Sequence, residues 1–88
     1  MELFRTKTFK KDYQRIKLTD AQYTKYIKCL SLLLDGRALP GEARDHNLVA
    51  DYSGFREFHL GGDVLVIYCI EDDIVRLTRI GTHSQLFK

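Results

Sequence analysis

Hydrophobic side chains recur at two different spacings in this chain, and the change of spacing divides it into a helical half and a strand half. Phe9, Tyr13 and Ile16 stand at i, i+4 and i+7, one face of a helix. Lys7, Lys11 and Arg15 repeat on nearly the opposite side, so this first helix is apolar on one flank and basic on the other. Thr19-Asp20-Ala21-Gln22 has the capping-box form, a hydroxyl at the N-cap and Gln three residues on, and opens a second helix. Tyr23, Tyr26, Ile27, Leu30, Leu33 and Leu34 give that helix a broad apolar stripe, and Gly36 is its natural stop. Residues 2–5 read as a short first strand.

From Gly54 the spacing shortens. Gly54–Leu60 alternates and carries aromatics, Gly61-Gly62-Asp63 turns, and Val64–Ile70 is continuously apolar, as a strand covered on both faces should be. Glu71-Asp72-Asp73 turns the chain back into Ile74–Ile80, which Gly81 breaks. Residues 37–53 between the halves are polar and punctuated by Pro40 and Gly41. So long a connection is a candidate functional loop. The order β-α-α-β-β-β predicts an α+β fold, two helices packed on one face of an antiparallel sheet.

Eighty-eight residues are expected to make one small domain, 1–88, with a modest core. Hydrophobic content of 44% beside 30% charged residues fits a soluble globular chain and excludes a disordered one. No apolar run approaches a membrane span, and Met1-Glu2-Leu3-Phe4-Arg5 has no signal-peptide character. Cys29 and Cys69 belong to no C-x-x-C motif, which points to reduced thiols and a cytoplasmic setting. The net charge of +2 is unevenly spread: residues 1–28 hold eight basic side chains against three acidic ones. That half is either a polyanion-facing surface or an ordinary solvated helix face.

The candidate chemistry is histidine. His46 follows Asp45 in the polar loop, His59 ends a strand four residues before Asp63, and His83 follows the last strand. Imidazole gives or takes a proton near neutral pH without help from burial. With Asp63 and the strand residues Arg56 and Arg79, the three suffice for metal-free RNA cleavage. That reaction needs a base for the 2′-hydroxyl, an acid for the leaving 5′-oxygen and cations for the phosphorane charge. Each residue also has a plainer reading: solvated loop histidines, a turn aspartate, snorkelling arginines, and a Phe87 that closes the core instead of stacking on a base. A zinc site is disfavoured, because no two histidines have H-x-x-x-H spacing and neither cysteine is near in sequence.

Arg44-Asp45-His46-Asn47-Leu48, Phe55-Arg56-Glu57-Phe58-His59 and Leu77-Thr78-Arg79-Ile80-Gly81-Thr82-His83-Ser84-Gln85-Leu86-Phe87 together resemble the YafQ-type toxins of the RelE/ParE superfamily. The resemblance runs almost continuously from residue 44 to 87, with Phe9-Lys10-Lys11-Asp12 typical of the helical half. It implies a small RelE-like fold and a cytoplasmic bacterial toxin of a type II toxin–antitoxin pair. Such a toxin cuts mRNA in the ribosomal A site without metal or cofactor. The implied catalytic set is His46, His59, Asp63 and His83; Arg56, Arg79 and Phe87 would hold substrate, and Lys7, Lys11 and Arg15 would meet ribosomal RNA. The implied partners are the ribosome, mRNA and a RelB/DinJ-like ribbon-helix-helix antitoxin, with operator DNA reached only through that antitoxin and no membrane. The same superfamily leaves room for a ParE-like binder of DNA gyrase that cuts no RNA. Gly62, Val64, Asn47 and Phe58 depart from the usual pattern, and the first two put the rigidity of the Asp63 turn in question.

Overall fold

The computed structural model describes residues 1–49 and 52–87. Strand β1 (Glu2–Arg5) leads into helix α1 (Lys7–Arg15) and helix α2 (Asp20–Leu34). A 3₁₀ turn at Gly41–Ala43 and a two-residue strand β2 (His46–Asn47) follow. Then come β3 (Arg56–Gly61), β4 (Val64–Glu71), β5 (Ile74–Thr82) and a one-turn helix α3 (His83–Leu86). The sheet order is β1-β5-β4-β3-β2.

The expected α+β layer and the order of its main elements are present, with three corrections. The sheet is mixed, because β1 runs parallel to β5 along Glu2↔Ile74 to Arg5↔Leu77 while the other pairs are antiparallel. The polar connection is not structureless: β2 adds a fifth strand at the β3 edge. Gly81 does not end the last strand, which runs on to Thr82. Gly81 serves another purpose. A Cβ there would lie 2.8 Å from Gln85 Oε1 and 3.3 Å from Leu86, so a bare backbone lets α3 fold back onto the strand.

Helix ends follow the side chains that cap them. Thr6 accepts from the Phe9 amide to open α1, and Thr19 and Gln22 complete the capping box of α2. Thr82 and Gln85 repeat that capping box on α3, a signal the sequence carried and the strand pattern hid. Asp72 and Asp73 both adopt positive φ, as a tight hairpin turn between right-twisted strands requires.

Alternation splits the buried residues between two faces. Val64, Val66 and Tyr68 of β4, with Phe58, Leu60, Val75, Leu77 and Ile80, pack against Phe9, Tyr26, Cys29, Leu30 and Leu33 of the helices. Leu65 and Ile67 face the other way and pack against Leu86, with Leu48, Tyr52, Phe55 and Phe87 around them. This second face, covered by loop and one helical turn, carries the site. Among the described residues no helix is long and apolar enough to cross a membrane.

Candidate active site

Glu57 stands opposite Ile67 and His59 opposite Leu65 on neighbouring strands. Paired residues point to one face, so both side chains rise beside the Leu65–Ile67 floor, away from the helices. β2 places His46 directly opposite Glu57 from the other side. The result is a buried carboxylate between two imidazoles. Glu57 is 3% exposed. Its Oε2 lies 2.5 Å from His59 Nε2 and 3.4 Å from His46 Nε2, and the two rings stack at 5.9 Å between centroids.

Arg44 orients both rings. It closes the 3₁₀ turn with φ +51, which aims its carbonyl and its side chain at the pair. The guanidinium Nη2 sits 3.1 Å from His59 Nδ1. Guanidinium can only donate, so His59 Nδ1 is the bare nitrogen and its Nε2–H donates to Glu57. His46 Nδ1 lies 2.6 Å from the Arg44 carbonyl and therefore donates there. Its Nε2 then faces the Glu57 carboxylate. The two atoms, His46 Nε2 and Glu57 Oε2, are 3.4 Å apart. Such an array can take up a proton.

The other residues gather at the end of the sheet. The Asp63 carbonyl accepts from the His83 amide at 3.1 Å, joining the β3–β4 turn to the start of α3. The turn is braced from behind, where Gln22 Nε2 donates to the Gly61 carbonyl at 3.0 Å. The Gly62 departure is therefore met by a clamp from α2; its φ of +59 is one that proline cannot adopt. His83 is exposed and its ring lies 4.8 Å from that of Phe87, which leans on Tyr52 at 5.5 Å. Phe87 is half-buried, so it both closes the small floor and flanks the exposed imidazole.

The strand arginines Arg56 and Arg79 are held by carboxylates. Arg56 does not reach the histidines. It pairs with Tyr68, whose ring is in the helix-side core, and its guanidinium donates to Asp45 at 3.0 Å and to Asn47 at 2.8 Å. The Asp45 hydrogen bond raises the Arg56 pKa. The Asp45 Oδ1 takes both Arg56 and the Tyr68 hydroxyl. Strand pairing brings His46 and His59 to one carboxylate with no H-x-x-x-H motif. Arg79 is forked onto Asp12 of α1 through Nε at 2.7 Å and Nη2 at 3.1 Å, which raises its pKa. It lines a polar pocket with Arg15 and Gln85. Lys7, Lys11 and Arg15 are all exposed, on the side of α1 away from buried Phe9.

Glu57 and Arg44 are the residues sequence reasoning missed. For Glu57 a signal existed: Phe55, Glu57 and His59 alternate on one strand face. Arg44 gave none, because its role depends on a left-handed backbone.

The profile of the family described as bacterial toxin of type II toxin–antitoxin system, YafQ, matches residues 1–88. An mRNA interferase toxin YafQ of Escherichia coli is 35% identical over 68 residues, 77% of this chain and 73% of its own length. Another curated relative is matched over 65% of its length. A copper-bound mutant toxin from Helicobacter pylori superposes with a TM-score of 0.86 at 30% identity, covering 98% of both chains. The toxin of the E. coli DinJ–YafQ complex does so at 0.79 and 31%, covering 98% of this chain and 97% of that one. With the buried Glu57 between two histidines on the open face of this fold, the match over the whole chain shows that it belongs to the YafQ family of bacterial toxins of type II toxin–antitoxin systems.

Proposed function

We infer that this protein is an endoribonuclease that cuts mRNA in the ribosomal A site, in the bacterial cytoplasm, and is neutralised by a DinJ-like antitoxin. The observation that carries the reading is the His46–Glu57–His59 array on one sheet face, with His83 and Phe87 at its end. The E. coli relative's name, mRNA interferase, supports the substrate class.

The 2′-hydroxyl gives its proton to the array, at Glu57 or His46. The freed oxygen attacks the adjacent phosphorus. His83 protonates the departing 5′-oxygen, and Phe87 stacks on the neighbouring base. Arg79, on its Asp12 fork, and Arg15 beside it supply positive charge to the phosphorane. Asp63 fixes the turn that carries the His83 end. The products are a 2′,3′-cyclic phosphate, or the 3′-phosphate derived from it, and a 5′-hydroxyl. The residues themselves supply acid and base, so the route passes through no metal.

The test is single-turnover cleavage of ribosome-bound mRNA, with analysis of both ends. Wild type should leave a cyclic phosphate and a 5′-hydroxyl, and His83→Gln should cut roughly 10²–10⁴-fold more slowly, the usual worth of a general acid. Neutralising Lys7, Lys11 and Arg15 should flatten the salt dependence of ribosome binding, because fewer counterions are released. A protein that inhibits growth yet leaves mRNA intact would overturn the reading and favour a gyrase binder.

A further inference from the structure

We propose that a pocket where β1, α1 and α2 meet binds one nucleotide, the base against its tyrosines and the phosphate between Arg5 and Lys10. The cavity measures about 370 Å³ and is lined by Arg5, Phe9, Lys10, Tyr13, Gln14 and Tyr26. Phe9 and Tyr26 belong to the helix-side core, so the pocket lies across the sheet from the histidine array.

Its chemistry comes from the way α1 is divided. Lys7, Lys11 and Arg15 take one flank, Phe9 and Tyr13 another, and Lys10 and Gln14 stand at i and i+4 on the border between them. A pocket on that border has an aromatic wall and a cationic mouth. Phe9 and Tyr13 stack at 6.1 Å between ring centroids, and Tyr26 follows Tyr13 at 5.8 Å. Arg5 enters from the end of β1 as the second cation. Among the described residues neither Arg5 nor Lys10 forms an ion pair. Ligand pockets set a few polar groups on such a wall, and two unpaired cations there select a planar anion.

The second observation is a buried phenol without a partner. Tyr68 is 1% exposed and Tyr26 6%. The Tyr68 hydroxyl donates to Asp45 at 2.8 Å. The Tyr26 hydroxyl makes no hydrogen bond among the described residues, and the cation whose charge bears on it is Arg5. Nor is it sealed off, since among the described residues only Arg76 Nε is a fully buried side-chain atom without a partner. A buried tyrosine hydroxyl normally finds a hydrogen-bond partner, and the pocket is where one can arrive.

A nucleotide meets all these groups at once. Its base stacks on an aromatic ring whatever its identity, and its phosphate takes the two cations and the phenol. Gln14 offers a base edge both a donor and an acceptor. A free mononucleotide and an unstacked nucleotide of ribosomal RNA present the same chemistry. Only the second source rests on the ribosome-dependent reading above.

The test follows backbone amide shifts of the purified toxin by NMR during titration with AMP, GMP, CMP and UMP. For at least one of them, Lys10, Tyr13 and Gln14 should shift together on one saturable curve that His83→Gln leaves unchanged. Arg5→Gln and Lys10→Gln should each weaken binding about tenfold or more, and Tyr26→Phe about fivefold, the worth of charged and ordinary hydrogen bonds. Lys28→Gln, the same charge change elsewhere, should bind as wild type. The matching nucleoside, which lacks phosphate, should bind at least about tenfold more weakly. Melting curves of the three pocket variants should match wild type, because Arg5 and Lys10 are exposed and Tyr26→Phe keeps its ring. No saturable shift at those amides, shifts confined to His83 and Phe87, or binding indifferent to all three substitutions overturns the site. Ribosome affinity of Tyr26→Phe, which changes no charge, separates the sources. A fall assigns the pocket to ribosomal RNA, and an unchanged affinity assigns it to a free nucleotide. A toxin that binds no ribosome refutes the ribosomal reading, while the titration still decides the site.

Discussion

The two faces of this sheet are made by the same strands and do opposite things. On the helix side, Val66 and Tyr68 meet Phe9, Tyr26 and Leu30 in a closed apolar core. On the other side, Ile67 and Leu65 meet Leu86, Leu48 and a rim of aromatics, and the neighbouring strand raises a buried carboxylate instead of another apolar side chain. Val66 and Ile67 are consecutive and both fully buried, yet one belongs to each face. A sheet one residue thick thus keeps folding and chemistry apart. The helix face offsets the cost of burying Glu57, and the site face is free to hold charged groups.

The sharpest break between the faces is Glu57→Gln. It keeps the shape and removes the charge. Cleavage should drop roughly 10²–10⁴-fold, as for loss of an acid–base group. Thermal stability should hold or rise, since a buried ionised group costs more to bury than an amide. Single-turnover cleavage and a melting curve on one preparation decide it. A strongly destabilised variant that still cuts would make the carboxylate a structural pin.

Phe9→Ala reverses the pattern. Phe9 is 1% exposed at the centre of the helix-side core. Its truncation should cost about 3–5 kcal/mol by denaturant titration. Cleavage per folded molecule should stay near wild type at low temperature, where the fold persists. A loss of cleavage in fully folded protein would show that the helix face steers the site through the sheet.

How much of this was legible in the sequence follows the same division. The helix face was readable because it obeys periods: Phe9-Tyr13-Ile16, the α2 stripe and the apolar run of β4 need no tertiary knowledge. The site face depends on pairing and backbone sign. The partnership of His46 with His59 arises from the register His46↔Glu57 across two strands. Arg44 acts through a positive φ. Residue type alone suggests a phosphate ligand at Arg56, and only the pairing shows that it stands opposite Tyr68 of the other face. The parallel placement of β1 beside β5 is likewise a long-range choice that no local pattern announces.

Asp12→Asn tests the seam between the faces. Asp12 is buried on α1, yet it receives Arg79 through two hydrogen bonds and the Ile80 amide at 3.2 Å. Losing a charged acceptor of this kind should cost about 2–3 kcal/mol. Because Arg79 is released as well, cleavage should fall along with stability. A variant that loses stability alone would place Arg79 outside the reaction.

The smallest effect separates the faces by pH. Burial, with help from the nearby Tyr13 phenol, pushes the Tyr26 pKa from 10.0 up to about 12. The sign follows from which state ionises first. Below about pH 10 the phenol is neutral in folded and unfolded chains, and it contributes no pH dependence. Between about pH 10 and 12 the unfolded chain releases the proton while the folded core keeps it, so stability falls as pH rises. Burial raises the Tyr68 pKa still further, and the Asp45 hydrogen bond adds to that. Tyr26→Phe removes one of these phenols and leaves its ring in place against Tyr13. Its urea midpoint should match wild type near pH 8 and fall less steeply between about pH 10 and 11.5. Parallel slopes for the two proteins would mean that the Tyr26 hydroxyl is solvated, and that the helix face is less closed than its packing indicates.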